Sequence, residues 1–176
     1  MTGLTMTLAP HRCQARVMSQ RLVPLIGACV AWLDEGFGPG TSPLLGALAQ
    51  VQARQAVTVA AWLRYPTELD AALVELTGSD GWCDPAQPWR SWVDETVLSW
   101  AACLLTDRDL ARRAVWAAGR SEHARGLCLC FRSLIDPDER ERRASTLLRH
   151  PDLVGPIADQ HRAELLSRLT SHTSNR

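Results

Sequence analysis

The segment that decides the fold runs from residue 88 to residue 135 and reads PWRSWVDETVLSWAACLLTDRDLARRAVWAAGRSEHARGLCLCFRSLI. Its apolar residues recur at intervals of three and four, which is the spacing of one face of an α-helix. Ser91 and Thr106 each stand three residues ahead of an aspartate, and Ser121 follows Gly119, so each hydroxyl marks a helix start. The segment therefore predicts three consecutive amphipathic helices, the last extending to its end.

The same apolar spacing continues on both sides of this segment. Thr67 with Asp70 marks one helix start, and Asp136 with Pro137 marks another, because the first residue caps and the proline ring presets φ. No stretch alternates polar residues with β-branched ones, so no strand is expected. Further helices are predicted over residues 11–33, 43–66, 67–78, 136–149 and 159–170.

These elements predict an all-α fold without a sheet, in which about seven helices pack antiparallel in a single domain. Residues 11–170 form this domain, with a flexible N-terminus over residues 1–10 and a flexible C-terminus over residues 171–176. A chain of 176 residues can bury an apolar core without disulfide or metal support.

The charge of the chain argues against several functions. Nineteen basic residues balance nineteen acidic ones, so the chain lacks the concentrated positive charge of a nucleic-acid-binding protein. All basic residues are arginine, because the sequence contains no lysine. This composition excludes a lysine Schiff base, a P-loop lysine and a lysine general base.

Cysteine spacing and hydropathy predict a cytoplasmic protein. The six cysteines form no CxxC pair, and most lie among apolar residues, as free cysteines do in a reducing compartment. The apolar run over residues 22–33 is too short to cross a bilayer and contains Pro24. We therefore expect no direct membrane insertion.

No catalytic, cofactor or metal site is predicted. His123 with Cys128 and Cys130 resembles a metal-ligand cluster, but residues two apart on a helix point to different sides. No GxSxG motif occurs. The acids over residues 136–141 are explained by the positive end of a helix dipole and by neighbouring arginines.

Tryptophan and arginine are the informative residue types. The chain has seven tryptophans beside two phenylalanines and one tyrosine, and both tryptophan and arginine are enriched at binding hot spots. The tryptophans would equally fill a helical core, and the arginines would equally form a solvated face. If they bind a partner, the residues expected to do so are Trp82, Trp89, Trp92, Arg108, Arg112, Arg113 and Arg120.

Two stretches carry a family resemblance. LSWAACLLTDRDLARRAVWAAG, over residues 98–119, joins an apolar helix to a second helix led by an arginine pair, and RHPDLVGPIADQHRAELLSRL, over residues 149–169, is leucine-rich and broken by prolines. From Trp89 to Leu169 the chain resembles the cytosolic sorting-platform accessory proteins of bacterial type III secretion systems. The resemblance implies a helical adaptor that links a cytosolic ring complex to an inner-membrane ring, and it transfers no functional residue.

The sequence thus favours a non-catalytic helical adaptor that binds other proteins in the cytoplasm, as part of a type III secretion apparatus. One alternative is a helical enzyme or small-ligand binder with a Cys/His pocket. Another is a regulatory scaffold resembling helical repeats, although no fixed period persists. A nucleic-acid regulator, with short helices around Thr106 mimicking helix-turn-helix, is disfavoured by the neutral charge.

Overall fold

The computed structural model describes residues 43–77, 95–127 and 130–173. Eight α-helices and no strand occur within these residues, which confirms the predicted all-α class. The helix predicted over residues 11–33 and the helix start predicted at Ser91 lie outside them. The helices are α1 (Pro43–Arg64), α2 (Glu68–Thr77), α3 (Glu95–Thr106), α4 (Arg108–Ala118), α5 (Arg132–Ile135), α6 (Glu139–Ala144), α7 (Pro151–Gln160) and α8 (Arg162–Thr173).

Helix α3 is the centre of the described core. Nine of its twelve residues are buried, as expected of a helix that is apolar on every side. Its most extensive contacts are with α1 and α7, and α4 packs against both α1 and α3. Trp100 joins α3 to the start of α8, since its indole Nε1 donates a hydrogen bond to the carbonyl of His161 at 3.1 Å.

Helix α4 is amphipathic in the sense that the sequence predicts. Its buried side is made of Leu110 and four alanines, and its other side carries arginines and Trp116. The predicted start is displaced by one residue: Asp107, not Thr106, caps the helix by accepting from the amide of Leu110 at 2.9 Å. The Thr106 hydroxyl instead donates to the Ala102 carbonyl in the last turn of α3, so it is not available as a cap.

The prediction of one continuous helix from Ser121 to Ile135 was wrong. The chain forms one 3₁₀ turn over Glu122–Ala124, and the next helix among the described residues of this segment begins at Arg132. Gly126 lies between them with a φ of 73°, a left-handed conformation that ends the helical path and suits glycine. Phe131 and Leu134 are nevertheless buried, as the apolar spacing predicts.

The helix predicted over residues 136–149 is shorter and begins later. Asp138 is the cap and forms a capping box with Glu141, whereas Asp136 ends α5. The helix stops at Ala144, where the Ser145 hydroxyl bonds back to the Glu141 carbonyl at 2.8 Å. A separate 3₁₀ turn follows over Leu147–Arg149.

Helix α7 is the element that the sequence did not predict. Gly155 and Pro156 both lie inside it, and residues of these types usually interrupt helices. Pro151 occupies its first turn, where a backbone amide would have no acceptor within the helix, so the lack of an N–H group in proline costs nothing. Val154 and Ala158 are buried beside α3, so tertiary packing outweighs the unfavourable propensity. The last helix covers Arg162–Thr173 and not 159–170.

A polar cluster holds α1 against the segment from α5 to α6, and we call it the Glu141 cluster. The buried Glu141 carboxylate accepts from the Ser133 hydroxyl at 2.7 Å and from Arg132 at 2.8 Å, while its backbone carbonyl accepts from Gln52 at 2.8 Å. Gln52, which is fully buried, accepts in turn from Arg149 at 2.9 Å. Its hydrogen bonds from Gln52 to Glu141 and from Arg149 to Gln52 join residues 89 and 97 positions apart, so the cluster ties distant parts of the domain together.

None of the helices in the described residues is long and apolar enough to cross a membrane.

Candidate functional site

The predicted docking residues fall into three groups in the structure. Trp82, Trp89 and Trp92 lie outside the described residues. Arg112, Arg113 and Arg120 are exposed. Arg108 is half-buried at the start of α4, where it lines a cleft with residues of α7 and α8. Three of the seven predicted residues are thus exposed on α4 or just after it.

Of the three tryptophans in the described residues, only Trp116 is exposed. Trp62 and Trp100 are 5% and 2% exposed, so these two fill the core. Trp116 is 49% exposed on α4. Trp116 was not among the residues predicted for docking. The spacing of apolar residues along one helix does not reveal which of its sides a neighbouring helix covers.

Arg112, Arg113, Trp116 and Arg120 form one exposed surface, which we call the α4 face. Spacing by three and four residues places them on the same side of the helix. The Arg120 guanidinium lies over the Trp116 ring, 5.3 Å from its centroid. Arg112 is held by Asp109 at 3.0 Å. The α4 face therefore presents an aromatic ring surrounded by positively charged arginine side chains.

A cleft of about 260 Å³ opens beside the end of α4, and we call it the α4 C-terminal cleft. The end of α1, the turn before α2 and the 3₁₀ turn after α4 form its walls. Leu63, Pro66 and Ala117 supply apolar surface, together with the Trp62 ring. Its charged residues are Arg120, Arg125 and Glu122.

Unpaired polar atoms are concentrated beside this cleft. Within the described residues five buried side-chain nitrogen or oxygen atoms lack a hydrogen-bond partner, and three of them are Trp62 Nε1, Ser121 Oγ and His123 Nδ1. Trp62 and Ser121 line the cleft, although each is more than nine-tenths buried. Leaving such an atom unpaired costs about 1–3 kcal/mol, so a group of three calls for an explanation.

His123 fixes the orientation of the Trp62 ring. Its Nε2 lies 2.7 Å from the Tyr65 carbonyl oxygen, which can only accept, so Nε2 carries the proton. The imidazole stacks on the indole with centroids 6.1 Å apart, and Phe131 meets the indole edge-on at 5.9 Å. The sequence analysis considered His123 only as a metal ligand. Nothing in the sequence around Ser121 and His123 indicated that these residues lie beside the end of α1.

A second cleft, of about 430 Å³, lies between the start of α4 and helices α7 and α8. Arg108 and Arg162 face Asp107, Asp109 and Asp159 across it. Arg162 pairs with Asp107 at 3.4 Å. Its two arginines and three aspartates leave one excess negative charge, and none of its side chains leaves a buried polar atom unpaired. It is the weaker candidate for a binding site.

The cysteines of the described residues differ in environment. Cys103 is buried in α3, and its thiol donates to the Ala158 carbonyl at 3.1 Å. Burial raises the pKa of this thiol to about 11, so it carries no reactive thiolate at neutral pH. Cys130 is exposed. No group of three or more His, Cys, Asp or Glu side chains in this part of the chain could hold a metal ion.

Comparisons with protein-family models, with curated proteins and with solved structures found no match to this chain.

Proposed function

We propose that the chain is a non-catalytic helical adaptor whose α4 face binds an acidic surface of another protein. The observation that carries the proposal is the exposed Trp116 ring beneath the Arg120 guanidinium. Tryptophan and arginine are the two residue types most enriched at interface hot spots. The core provides a contrast, because its two described tryptophans are buried.

Trp116 is suited to be the central contact of such an interface. About half of its surface faces solvent, and burying the ring against a partner would remove a large apolar area from water. The contact with Arg120 restrains both side chains before binding, which lowers the entropy lost on association. Asp109 restrains Arg112 in the same way.

The charge of the α4 face indicates the chemistry of the partner. Three arginines share the face with Asp109, so the face is positive although the chain as a whole is neutral. A complementary surface would carry carboxylates around a pocket that accepts an indole. Arginine binds carboxylates in a bidentate geometry that lysine cannot reproduce.

The family resemblance extends this proposal to a place of action. In a type III secretion apparatus, the partner would be a component of the cytosolic ring or of the inner-membrane ring, and the chain would act in the cytoplasm. Trp82, Trp89 and Trp92 would add further contacts. Arg108 is proposed only as a peripheral contact, because it is half-buried beside α7.

The proposal is tested by identifying a partner and then removing the α4 face. Proteins captured from host cytosol by the wild-type chain would be identified by mass spectrometry, and the purified pair would be measured by calorimetry. Trp116→Ala should weaken binding by about 30-fold or more, since hot-spot truncation costs roughly 2–4 kcal/mol. The double variant Arg112→Glu, Arg113→Glu should abolish it.

Arg140→Glu is the matched control, because Arg140 is an exposed arginine on α6, away from the α4 face. It should leave the affinity unchanged. A partner that binds wild type and Trp116→Ala equally would contradict the role of the face. A wild-type chain that captures no partner at all would contradict the adaptor function itself.

A further inference from the structure

We infer that the α4 C-terminal cleft binds a single carboxylate carried by a small apolar group. This binding is separate from the adaptor function, since the cleft is a concave site and the α4 face is a convex one. The two surfaces share only Arg120, which lies over Trp116 and also lines the cleft. The inference rests on the size, the charge and the unpaired hydrogen-bonding atoms of the cleft.

The size of the cleft limits the ligand. Its volume of about 260 Å³ lies just below the range of about 300–1,000 Å³ typical of sites for drug-sized molecules. Leu63, Pro66, Ala117 and the Trp62 ring provide an apolar wall for the body of the ligand. A single ring or a branched aliphatic group would fill this space.

The charge of the cleft selects a monoanion. Arg120 and Arg125 are opposed by Glu122 alone, which leaves one excess positive charge. A carboxylate neutralises it and can accept paired hydrogen bonds from a guanidinium. A phosphate monoester carries about −1.5 to −2 at neutral pH and would leave an excess of negative charge beside Glu122.

The unpaired atoms in the wall point to an acceptor. The indole Nε1–H of Trp62 can only donate, and the Ser121 hydroxyl has a proton to donate. A carboxylate has two oxygens, each of which can accept one such hydrogen bond. Both donor atoms are closed to solvent, so the acid reaches them only if the Trp62 and Ser121 side chains turn towards the cleft as it binds. His123 Nδ1 is an acceptor in the neutral ring and is not addressed by this ligand.

The first test uses phenylacetate as the probe and the tryptophan indole N–H signals of the isotope-labelled full chain as the readout. Trp62→Phe assigns the Trp62 signal by its loss. We expect phenylacetate to shift this signal downfield in a saturable manner and to leave the signal of Trp100 in place. Phenylacetamide, which has the same shape without the charge, should bind at least tenfold more weakly.

Variants then separate the cleft from the α4 face. Arg125→Gln should weaken phenylacetate binding by about tenfold, because Arg125 lines the cleft and takes no part in the face. Arg113→Gln, an exposed arginine of the face outside the cleft, is the matched control and should bind as wild type does. Circular dichroism of each variant checks that the helices are retained.

A second arm identifies the source of the carboxylate. A short glycine peptide ending in phenylalanine is compared with its C-terminal amide. Binding of the free-acid peptide in preference to phenylacetate assigns the cleft to a protein C-terminus, and the reverse assigns it to a small free acid. Either result supports the carboxylate site.

Several results would overturn the inference. One is that neither acid shifts the Trp62 signal of the folded protein at concentrations up to about 10 mM. The others are that phenylacetamide binds as tightly as phenylacetate, that inorganic phosphate binds more tightly, or that Arg125→Gln binds phenylacetate with full affinity. The adaptor proposal would stand in each case. It is tested with Trp116→Ala and with the reversal of Arg112 and Arg113, and these variants change the α4 face and leave all cleft residues in place.

Discussion

The Glu141 cluster and the α4 C-terminal cleft both bury polar side chains, but they satisfy them differently. In the cluster, the Glu141 carboxylate accepts from Ser133, Arg132 and the amide of Asp138, all between 2.7 and 2.8 Å. At the cleft, Trp62 Nε1, Ser121 Oγ and His123 Nδ1 have no partner. Trp62, Ser121 and His123 are as buried as Glu141 and Ser133.

This difference separates a structural role from a binding role. A buried polar group that is paired within the chain holds two elements together, and the Glu141 cluster joins α1 to the α5–α6 segment. A buried polar group without a partner costs stability, and the cost is explained if another molecule completes the bond. Stability measurements can therefore distinguish the two regions without any ligand.

The largest effect is expected at Glu141. Glu141→Ala leaves Ser133 and the Asp138 amide without their acceptor, and losing these two hydrogen bonds to a charged group costs about 3 kcal/mol. Urea denaturation followed by circular dichroism would measure the loss. Glu139→Ala is the control in the same helix: Glu139 pairs with Arg142 and Arg143 at the surface, and we expect a change below about 0.5 kcal/mol. Equal losses in the two variants would remove the contrast.

Two serines provide a matched comparison at intermediate magnitude. Ser133 and Ser121 are 9% and 8% exposed, but only Ser133 donates to an acceptor within the chain. Ser133→Ala should cost about 1–2 kcal/mol, because it removes a bond to a charged group. Ser121→Ala should leave the free energy of unfolding unchanged or raise it by about 1 kcal/mol, since no bond is lost and an unpaired buried hydroxyl is removed. A Ser121→Ala variant that unfolds as easily as Ser133→Ala would mean that Ser121 is structural.

Acid should weaken the capping box that Asp138 forms with Glu141 at the start of α6. The hydrogen bond from the Glu141 amide lowers the pKa of Asp138 below its ordinary value of 3.8, and Arg132 contributes. A carboxylate with a lowered pKa stabilises the folded state above about pH 4, and this contribution is lost as the pH falls through the lower folded pKa. Wild type should therefore lose more of its melting temperature between pH 5 and pH 3 than Asp138→Asn. Parallel curves would contradict the assignment.

The smallest effect concerns reactivity without a change in stability. The buried Cys103 thiol is already bonded to the Ala158 carbonyl, and its pKa of about 11 keeps it protonated at pH 8. Iodoacetamide should therefore modify the exposed Cys130 well before Cys103 in the folded chain, as peptide mapping by mass spectrometry would show. Faster labelling of Cys103 would instead favour the alternative of a reactive cysteine.

Local sequence signals predicted some elements more accurately than others. The bounds of α1 and the Thr67–Asp70 capping pair at α2 were predicted well, because Pro43, Pro66 and a hydroxyl–acid pair act within a few residues. Signals that compete locally were misjudged. Thr106 and Asp107 are both residue types that can cap α4. Asp107 is the cap because the Thr106 hydroxyl donates its hydrogen bond to a carbonyl of α3.

The candidate sites were less predictable than the helices. Arg112, Arg113 and Arg120 were selected from composition and spacing, and they are exposed as docking residues must be. Trp116 was not selected, and no feature of the sequence linked Trp62 to Ser121. These residues are 59 positions apart, and only the packing of α1 beside the turn after α4 places both at one cleft.

The sequence by itself determined that the described chain is helical, that its basic charge is all arginine, and where α1 and α2 begin, because these properties depend on residue identity and near neighbours. Tertiary structure alone decided which apolar faces are covered. Leu69 and Leu73 lie on a helix of ordinary amphipathic spacing and are 69% and 48% exposed, while Gly155 and Pro156 lie in a helix packed on α3. Periodicity describes one helix, whereas burial depends on what another part of the chain brings against it.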